Sequence, residues 1–189
     1  EAAGPAALGP LRERHMPDET ILSFGPGQVR VIWDGGRLVQ ISLEGTPPGR
    51  EPPWNVELGE GVAPNPKVLA LLEDLIGYLS GADVHPGRSA PLPAGTRFQQ
   101  AVWAAAREIP RGQTRTYGWI ADATGRLGAA RAAGAALGRN PCPIVVPCHR
   151  VVGASGNLTG FAYGIEWKSA LLELEGVRLG NCRSRLAEG

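Results

Sequence analysis

Residues 116–137 run T-Y-G-W-I-A-D-A-T-G-R-L-G-A-A-R-A-A-G-A-A-L. Thr116 can cap a short helix from Tyr117 to about Thr124, Gly125 breaks it, and a second helix is expected from about Gly128 to Leu137. Two short helices joined by a tight Gly-containing turn form the helix-turn-helix pattern. Helical hairpins are common and most bind nothing, so the composition of the second helix carries the weight. Apart from Arg131 it is almost bare of side-chain bulk. A helix built for core packing normally presents several Leu or Ile inward. Ala130, Ala132 and Gly134 instead let the backbone come close to another surface, either a neighbouring helix or a narrow groove of DNA.

Outward from this stretch, further elements follow from local signals. Thr96 with Gln99 three residues on makes a capping-box pattern, opening a helix through Phe98, Val102 and Trp103 that ends before Pro110. Downstream, a closing helix is expected from about Glu166 to Glu175, stopped by Gly176. In the first half, residues 29–33 and 37–43 alternate β-branched and polar positions around Asp34-Gly35-Gly36, which reads as a β-hairpin. The four prolines within 45–53 imply a loop. Asn65-Pro66 then supplies a cap and a first-turn proline for a helix with Leu69, Leu72, Leu75, Ile76 and Leu79 on one face, stopped at Gly81.

The resulting expectation is an α/β (α+β) chain. A flexible leader at 1–15 precedes a small N-terminal domain of hairpin and helix at 16–93. A mostly helical domain with the helix-turn-helix and a reactive cysteine spans 94–179, and a tail covers 180–189. The boundary falls in the Pro-, Gly- and Ala-rich stretch 85–95.

Composition narrows the class of function. With 189 residues and 43% hydrophobic content the chain can bury a real core. Lys plus Arg number 19 against 18 Asp plus Glu, so any basic surface arises from local clustering. The three cysteines, Cys142, Cys148 and Cys182, are odd in number and irregularly spaced, which does not read as a disulfide framework and fits a reducing, cytoplasmic or nucleoid-associated setting. No apolar run approaches the roughly 20 residues of a membrane span.

The chemistry concentrates in I-V-V-P-C-H-R-V-V, residues 144–152. A free cysteine after an apolar run is ordinarily a small buried hydrophobe. Here Pro147 cannot donate to a sheet ladder, so a strand at 144–146 should end there with Cys148 at its mouth. His149 and Arg150 follow, polar groups that a central strand would bury at high cost. A thiol needs a nearby base or positive field to ionise. His149 can serve, through a turn or a bridging water because adjacent residues of an extended chain point apart. Such a base needs a carboxylate to orient it, and the closing helix offers Glu173 and Glu175 without choosing between them.

Pro147-Cys148-His149-Arg150-Val151-Val152, preceded by Asn140-Pro141 and followed by Gly156-Asn157-Leu158-Thr159-Gly160, resembles the active-site segment of the O6-alkylguanine-DNA alkyltransferases (methylated-DNA–protein-cysteine methyltransferases). The resemblance extends back through Phe98-Gln99-Gln100-Ala101-Val102-Trp103, Ile109-Pro110-Arg111-Gly112, Thr116-Tyr117-Gly118 and Ala130-Arg131-Ala132, and forward to Leu174-Glu175-Gly176. It implies irreversible, single-turnover transfer of an alkyl group from O6-alkylguanine in duplex DNA to Cys148, with no cofactor. His149 becomes the water-mediated base, Glu175 the carboxylate behind it, Asn140 the brace of the active-site turn and Tyr117 a donor to the leaving guanine. Val151 carbonyl and Thr159 N–H would hold the guanine edge, with Leu158 and Gly160 completing the pocket. Arg131 would fill the space of a base flipped out of the stack. Thr116, Tyr117, Ala130, Ala132 and Gly134 would approach the minor groove, with Arg115, Arg126 and Arg139 available to phosphates. Leu158 sits where family members differ, and Phe161-Ala162-Tyr163-Gly164 stands where a Gly-Gly sequence is expected; both stretches bear on the range of alkyl groups.

Residues 1–93 carry no specific match. The expected partner is double-stranded DNA, bound by a monomer that could act cooperatively. No membrane is expected. No metal site is expected either, since His15 and His85 are the only His or Cys before residue 140.

Overall fold

The computed structural model describes residues 17–49, 54–59, 66–88, 90–180 and 186. The expected leader, the capping Asn65 and Cys182 lie outside these residues, as does most of the expected tail.

Among the described residues, the N-terminal half holds a four-stranded antiparallel sheet in the order β3-β2-β1-β4, with β1 Asp18–Phe24, β2 Gly27–Asp34, β3 Arg37–Gly45 and β4 Glu57–Leu58. The expected hairpin is β2–β3. Asp34 pairs with Arg37 across Gly35 and Gly36, whose φ values of 54° and 78° suit the two-residue turn that matches strand twist. The sequence reading found only two of the four strands. β1 had a signal, the Thr20–Phe24 alternation before the Gly25-Pro26-Gly27 turn, whereas β4 is two residues long and has none. One face of the sheet buries Leu22, Phe24, Val29, Val31, Trp33, Ile41 and Leu43.

Helix α1, Pro66–Leu79, covers that face with Val68, Leu71, Leu72, Leu75, Tyr78 and Leu79. Leu69, placed on the inner stripe from sequence, is 44% exposed. The stripe runs through 68, 71, 72, 75, 78 and 79 at helical spacing, one step round from the face first assigned. The same core continues into the second half, taking in Cys142, Ile144, Val145, Trp167, Ala170, Leu171 and Leu174. The Trp167 indole N–H donates to Gly45 O at 3.0 Å and the Ile41 N–H to Pro141 O at 2.8 Å.

The second half comprises α2 Arg97–Arg107, α3 Tyr117–Ala123, α4 Ala130–Leu137 and α5 Ile165–Leu174. Both expected caps form: Thr96 and Gln99 make the reciprocal capping box on α2, and Thr116 Oγ1 accepts from the Trp119 N–H on α3. α4 begins two residues later than expected. A two-residue parallel pair, β5 Arg115–Thr116 with β6 Val151–Val152, ties the start of the helix-turn-helix to the segment after the cysteine.

Residues 144–146 do not form the expected strand. They make a tight turn in which Ile144 sits at φ 72°, the Val146 N–H donates to Cys142 O at 2.9 Å, and a one-turn 3-10 helix at Cys148–Arg150 follows. Apolar runs of this length cannot be told from strands by pattern alone. A left-handed β-branched residue is strained, and burial of Ile144 at 3% exposure holds it in place.

The burial pattern of α1 makes a direct prediction. Leu75→Ala, at a position with 0% exposure, should cost about 2–5 kcal/mol in urea unfolding. Leu69→Ala should change stability by less than about 0.5 kcal/mol.

Candidate active site

Two of the three cysteines are described, and their surroundings differ. Cys142 is 1% exposed within the core, and burial pushes its thiol up to about 12 despite the backbone bond near Ile41. It is an inert packing residue. Cys148 is partly exposed, at the N-terminus of the 3-10 helix. Burial raises its thiol too, while the Asn140 amide, 3.2 Å from Sγ, and the charge of Lys168 act to lower it. At rest the group is a thiol, so reaction requires a base.

Asn140 braces the turn that presents this thiol. Its Nδ2 donates to Val146 O at 2.9 Å as well as to the sulfur, and its Oδ1 accepts from the Cys142 N–H at 3.0 Å. One amide thus spans both sides of the strained Ile144. An aspartate could accept from the Cys142 N–H but could not donate to the carbonyl or the sulfur.

His149 has 0% exposure, and its Nε2 lies 2.9 Å from Glu175 Oε1. Glu175, rather than Glu173, is the carboxylate that meets it. With a carboxylate on Nε2, the ring carries its proton there, and Nδ1, which has no hydrogen-bond partner among the described residues, is the free base. Burial lowers the His149 pKa, against the pull of Glu175 and with the push of Arg150 and Lys168. The ring is therefore neutral near pH 7.

Glu175 lies just past the end of α5, among donors. Arg150 binds it through Nε at 3.0 Å to Oε2 and NH2 at 2.8 Å to Oε1, and spends NH1 on Ile109 O at 2.6 Å. The Gly112 N–H approaches Oε2 at 3.3 Å, and Tyr78 Oη donates to Oε1 at 2.6 Å. Burial opposes ionisation, but His149 and Arg150 outweigh it and hold the carboxyl well below the usual range. Burial first, with the charges of Arg150 and Lys168 beside it, lets His149 stay neutral next to an ionised carboxylate.

On the other side of Cys148, the Tyr117 hydroxyl donates to Thr159 O at 2.8 Å. A Cβ at Gly160 would stand 2.9 Å from that hydroxyl, and its φ of 65° also favours glycine. Lys168, with 0% exposure, donates to Val151 O at 2.6 Å and Thr159 O at 2.8 Å, joining the two walls. Burial lowers its pKa to about 8. Leu158 is 3% exposed and packs with Val152 and Leu172 beneath this segment. Phe161 and Tyr163 pack against the core shared with the sheet, and the Tyr163 hydroxyl donates to Ile41 O at 3.0 Å.

The helix-turn-helix has two distinct faces. Ala133 and Ala136 of α4 are buried against α2 and α3, where Trp103 Nε1 donates to Ala136 O at 3.0 Å. Arg131, Ala132, Ala135 and Arg139 are exposed on the outside, with Ala130 and Gly134 half-buried. The small residues therefore serve a close helix contact on one side and leave a bare surface on the other. Arg115 and Arg126 stack on Trp119 and Phe98, their guanidinium carbons 5.6 Å and 4.7 Å from the ring centroids.

Residues 97–177 match the DNA binding domain of 6-O-methylguanine DNA methyltransferase. The methylated-DNA–protein-cysteine methyltransferase of Mycobacterium tuberculosis is 63% identical over 84 residues, which is 44% of this chain and 51% of that protein; the matched stretch thus spans about half the length of that relative. The enzyme of the same name from Mycolicibacterium paratuberculosis is 48% identical over 116 residues, 61% of this chain and 70% of the relative. The crystal structure of Mycobacterium tuberculosis OGT in complex with DNA aligns with a TM-score of 0.63 at 38% identity, covering 88% of this chain and 94% of that one. This chain belongs to the methylated-DNA–protein-cysteine methyltransferase family. The structural alignment takes in the N-terminal half as well, where the sequence offered no motif.

Three residues around the thiol of this family member escaped the sequence reading. Arg150 was noticed as a charge unwelcome in a strand and as part of the family segment, with no role given to it. Lys168 stands on the apolar stripe of α5 with Leu171 and Leu172, and a lone lysine at such a position is a readable sign of a buried cation. Tyr78 shares the stripe of Leu71 and Leu75, and nothing local separates it from an ordinary core aromatic. Among the described residues no group of three or more His, Cys, Asp or Glu side chains could hold a metal ion, and no helix is long and apolar enough to cross a membrane.

Glu175→Gln leaves Arg150 buried without a counter-charge and should cost about 3–5 kcal/mol. Because folding depresses the Glu175 pKa, the stability it contributes is complete above its ordinary value near 4.5 and is lost as pH falls below it. Thermal melts from about pH 7 to pH 3 should show a shallower decline in the variant than in the parent chain.

Proposed function

We propose that the chain repairs DNA by moving the alkyl group of O6-alkylguanine onto its own Cys148, once per molecule. The observation that carries this reading is the joint placement of a partly exposed thiol held by Asn140, a buried neutral His149 with its free Nδ1, and a bare helix bearing Arg131 in the same half of the chain. Residues 94–179 form the DNA-binding and alkyl-acceptor unit in this scheme.

The damaged base is stacked in duplex DNA, where its O6 carbon is out of reach. It is flipped out at a cost of a few kcal/mol, and Arg131 takes its place while Ala130, Ala132 and Gly134 let α4 approach the minor groove. Thr116, Arg115 and Arg139 stand at the edges of that contact. The flipped guanine enters between Val151 and Thr159 near Gly160, in a pocket supported from below by Leu158. The thiol proton passes through a water to His149 Nδ1, and Glu175 stabilises the imidazolium. The sulfur lone pair forms the S–C bond as the C–O6 bond breaks, and the electron pair of that bond leaves with guanine. Tyr117 exchanges its bond to Thr159 O for one to the departing base, which then takes up a proton. The thioether has no route back, so each molecule reacts once without a cofactor. The chain acts as a monomer, with cooperative assembly along DNA open to it, in the compartment that holds the DNA.

Intact mass after incubation with O6-methylguanine duplex tests the scheme. A gain of one methylene, absent in Cys148→Ala, is expected; an unchanged mass with retained binding would reveal a lesion-binding protein instead. Arg131→Ala should slow repair in duplex by about tenfold or more while leaving transfer from free O6-benzylguanine within about twofold. Equal losses on both substrates would remove Arg131 from base flipping.

A further inference from the structure

Tyr78 is the one group from the N-terminal half whose polar atom enters the hydrogen-bonded cluster behind the cysteine, among the described residues. It comes from α1, has 0% exposure, and lies 97 residues before the carboxylate it binds. Packing alone would be met by phenylalanine at this point of the stripe. A buried phenol must find a partner for its hydroxyl, and here the partner is catalytic.

The contact is specific in geometry. Tyr78 Oη is 2.6 Å from Glu175 Oε1, closer than the His149 ring on the same oxygen at 2.9 Å, and 3.3 Å from His149 Nε2 itself. Arg111 lies over the Tyr78 ring, its guanidinium carbon 5.0 Å from the centroid, and donates to Leu174 O at 2.9 Å. The phenol is thus pinned from one side by a cation and committed on the other to the carboxylate that faces the base.

We propose that Tyr78 is a positioning residue for alkyl transfer: its hydroxyl holds Glu175 Oε1 and thereby sets how strongly that carboxylate stabilises a protonated His149. The inference rests on the reading of His149 as the base.

The physical basis is competition for one oxygen. A short O–H···O⁻ bond withdraws charge from Oε1, and among side chains with 0% exposure the withdrawal is weakly screened. Burial, with the Glu175 charge beside it, pushes the phenol well above its ordinary pKa, so Tyr78 remains a donor throughout the working range. The charged and titratable groups facing His149 are Glu175 and Lys168 from the α5 region, Arg150 from its own turn, Cys148 next to it and Tyr78 from α1, with Arg111 behind Tyr78. Among the described residues, the side chains that share Glu175 Oε1 are the cation Arg150 and two neutral donors, Tyr78 and His149 itself. Losing the Tyr78 hydroxyl leaves more negative charge for the imidazolium, so His149 holds its proton to higher pH. The neutral ring is the active form, and the acid limb of the rate profile therefore moves up in pH.

Tyr78→Phe keeps the ring and the Arg111 contact. The acid limb of its single-turnover rate with O6-methylguanine duplex should rise by about half a unit or more, a loss of about threefold at pH values on that limb. Tyr78→3-fluorotyrosine keeps the hydroxyl and makes it a stronger donor, so the limb should move to lower pH. A role confined to packing would lower the melting temperature of Tyr78→Phe and leave the limb in place. Unmoved limbs in both variants, or a limb that falls in Tyr78→Phe or rises in the fluorotyrosine variant, would overturn the proposal; should Tyr78→Phe fail to fold, the fluorotyrosine variant alone decides. NMR titration of the His149 ring in parent and variants reads the same effect without substrate. A parent chain that gained no methylene would defeat the repair reading, while that titration would still show whether Tyr78 sets the charge state of His149.

Discussion

A carboxylate without exposed surface survives only when donors meet it on every side, and the second half of this protein is arranged around that requirement at Glu175. Tyr78 arrives from α1, the Gly112 N–H from the turn after α2, His149 and Arg150 from the turn that carries the cysteine. Each segment is held where it is partly because it must supply its donor, and loss of any one leaves the others facing an under-compensated charge. The protein uses this arrangement to keep a histidine neutral and correctly protonated one residue from a thiol that burial keeps in its unreactive form.

The proposed nucleophile, Cys148, is presented by strain rather than by a regular element. Ile144 occupies a left-handed conformation that a β-branched residue avoids, and Asn140 bonds to the chain on both sides of it. The same amide reaches the sulfur. Backbone distortion, thiol placement and thiol electrostatics are consequently coupled through one side chain, and the apolar residues 144–146 serve to lock the turn by burial.

The helix-turn-helix shows how one composition meets two demands. Ala133 and Ala136 let α4 lie close to α2 and α3, and Ala132 and Ala135 leave the opposite face without bulk around Arg131. Packing and the proposed groove contact do not compete, because a helix repeats on both faces with the same small residue.

What the sequence by itself determined was local: the hairpin around Gly35-Gly36, the caps at Thr96 and Thr116, and the helix-turn-helix. Caps, turn glycines and periodicity act within a few residues, so their signals are complete in the chain. The tertiary structure alone decided what depended on distant segments. Local pattern left Glu173 and Glu175 equivalent, read residues 144–146 as a strand, and treated Tyr78 as one more aromatic on an apolar stripe. Geometry separated them, because a buried charge selects its partners by where the folded chain brings their donors, and Tyr78 meets Glu175 from 97 positions away.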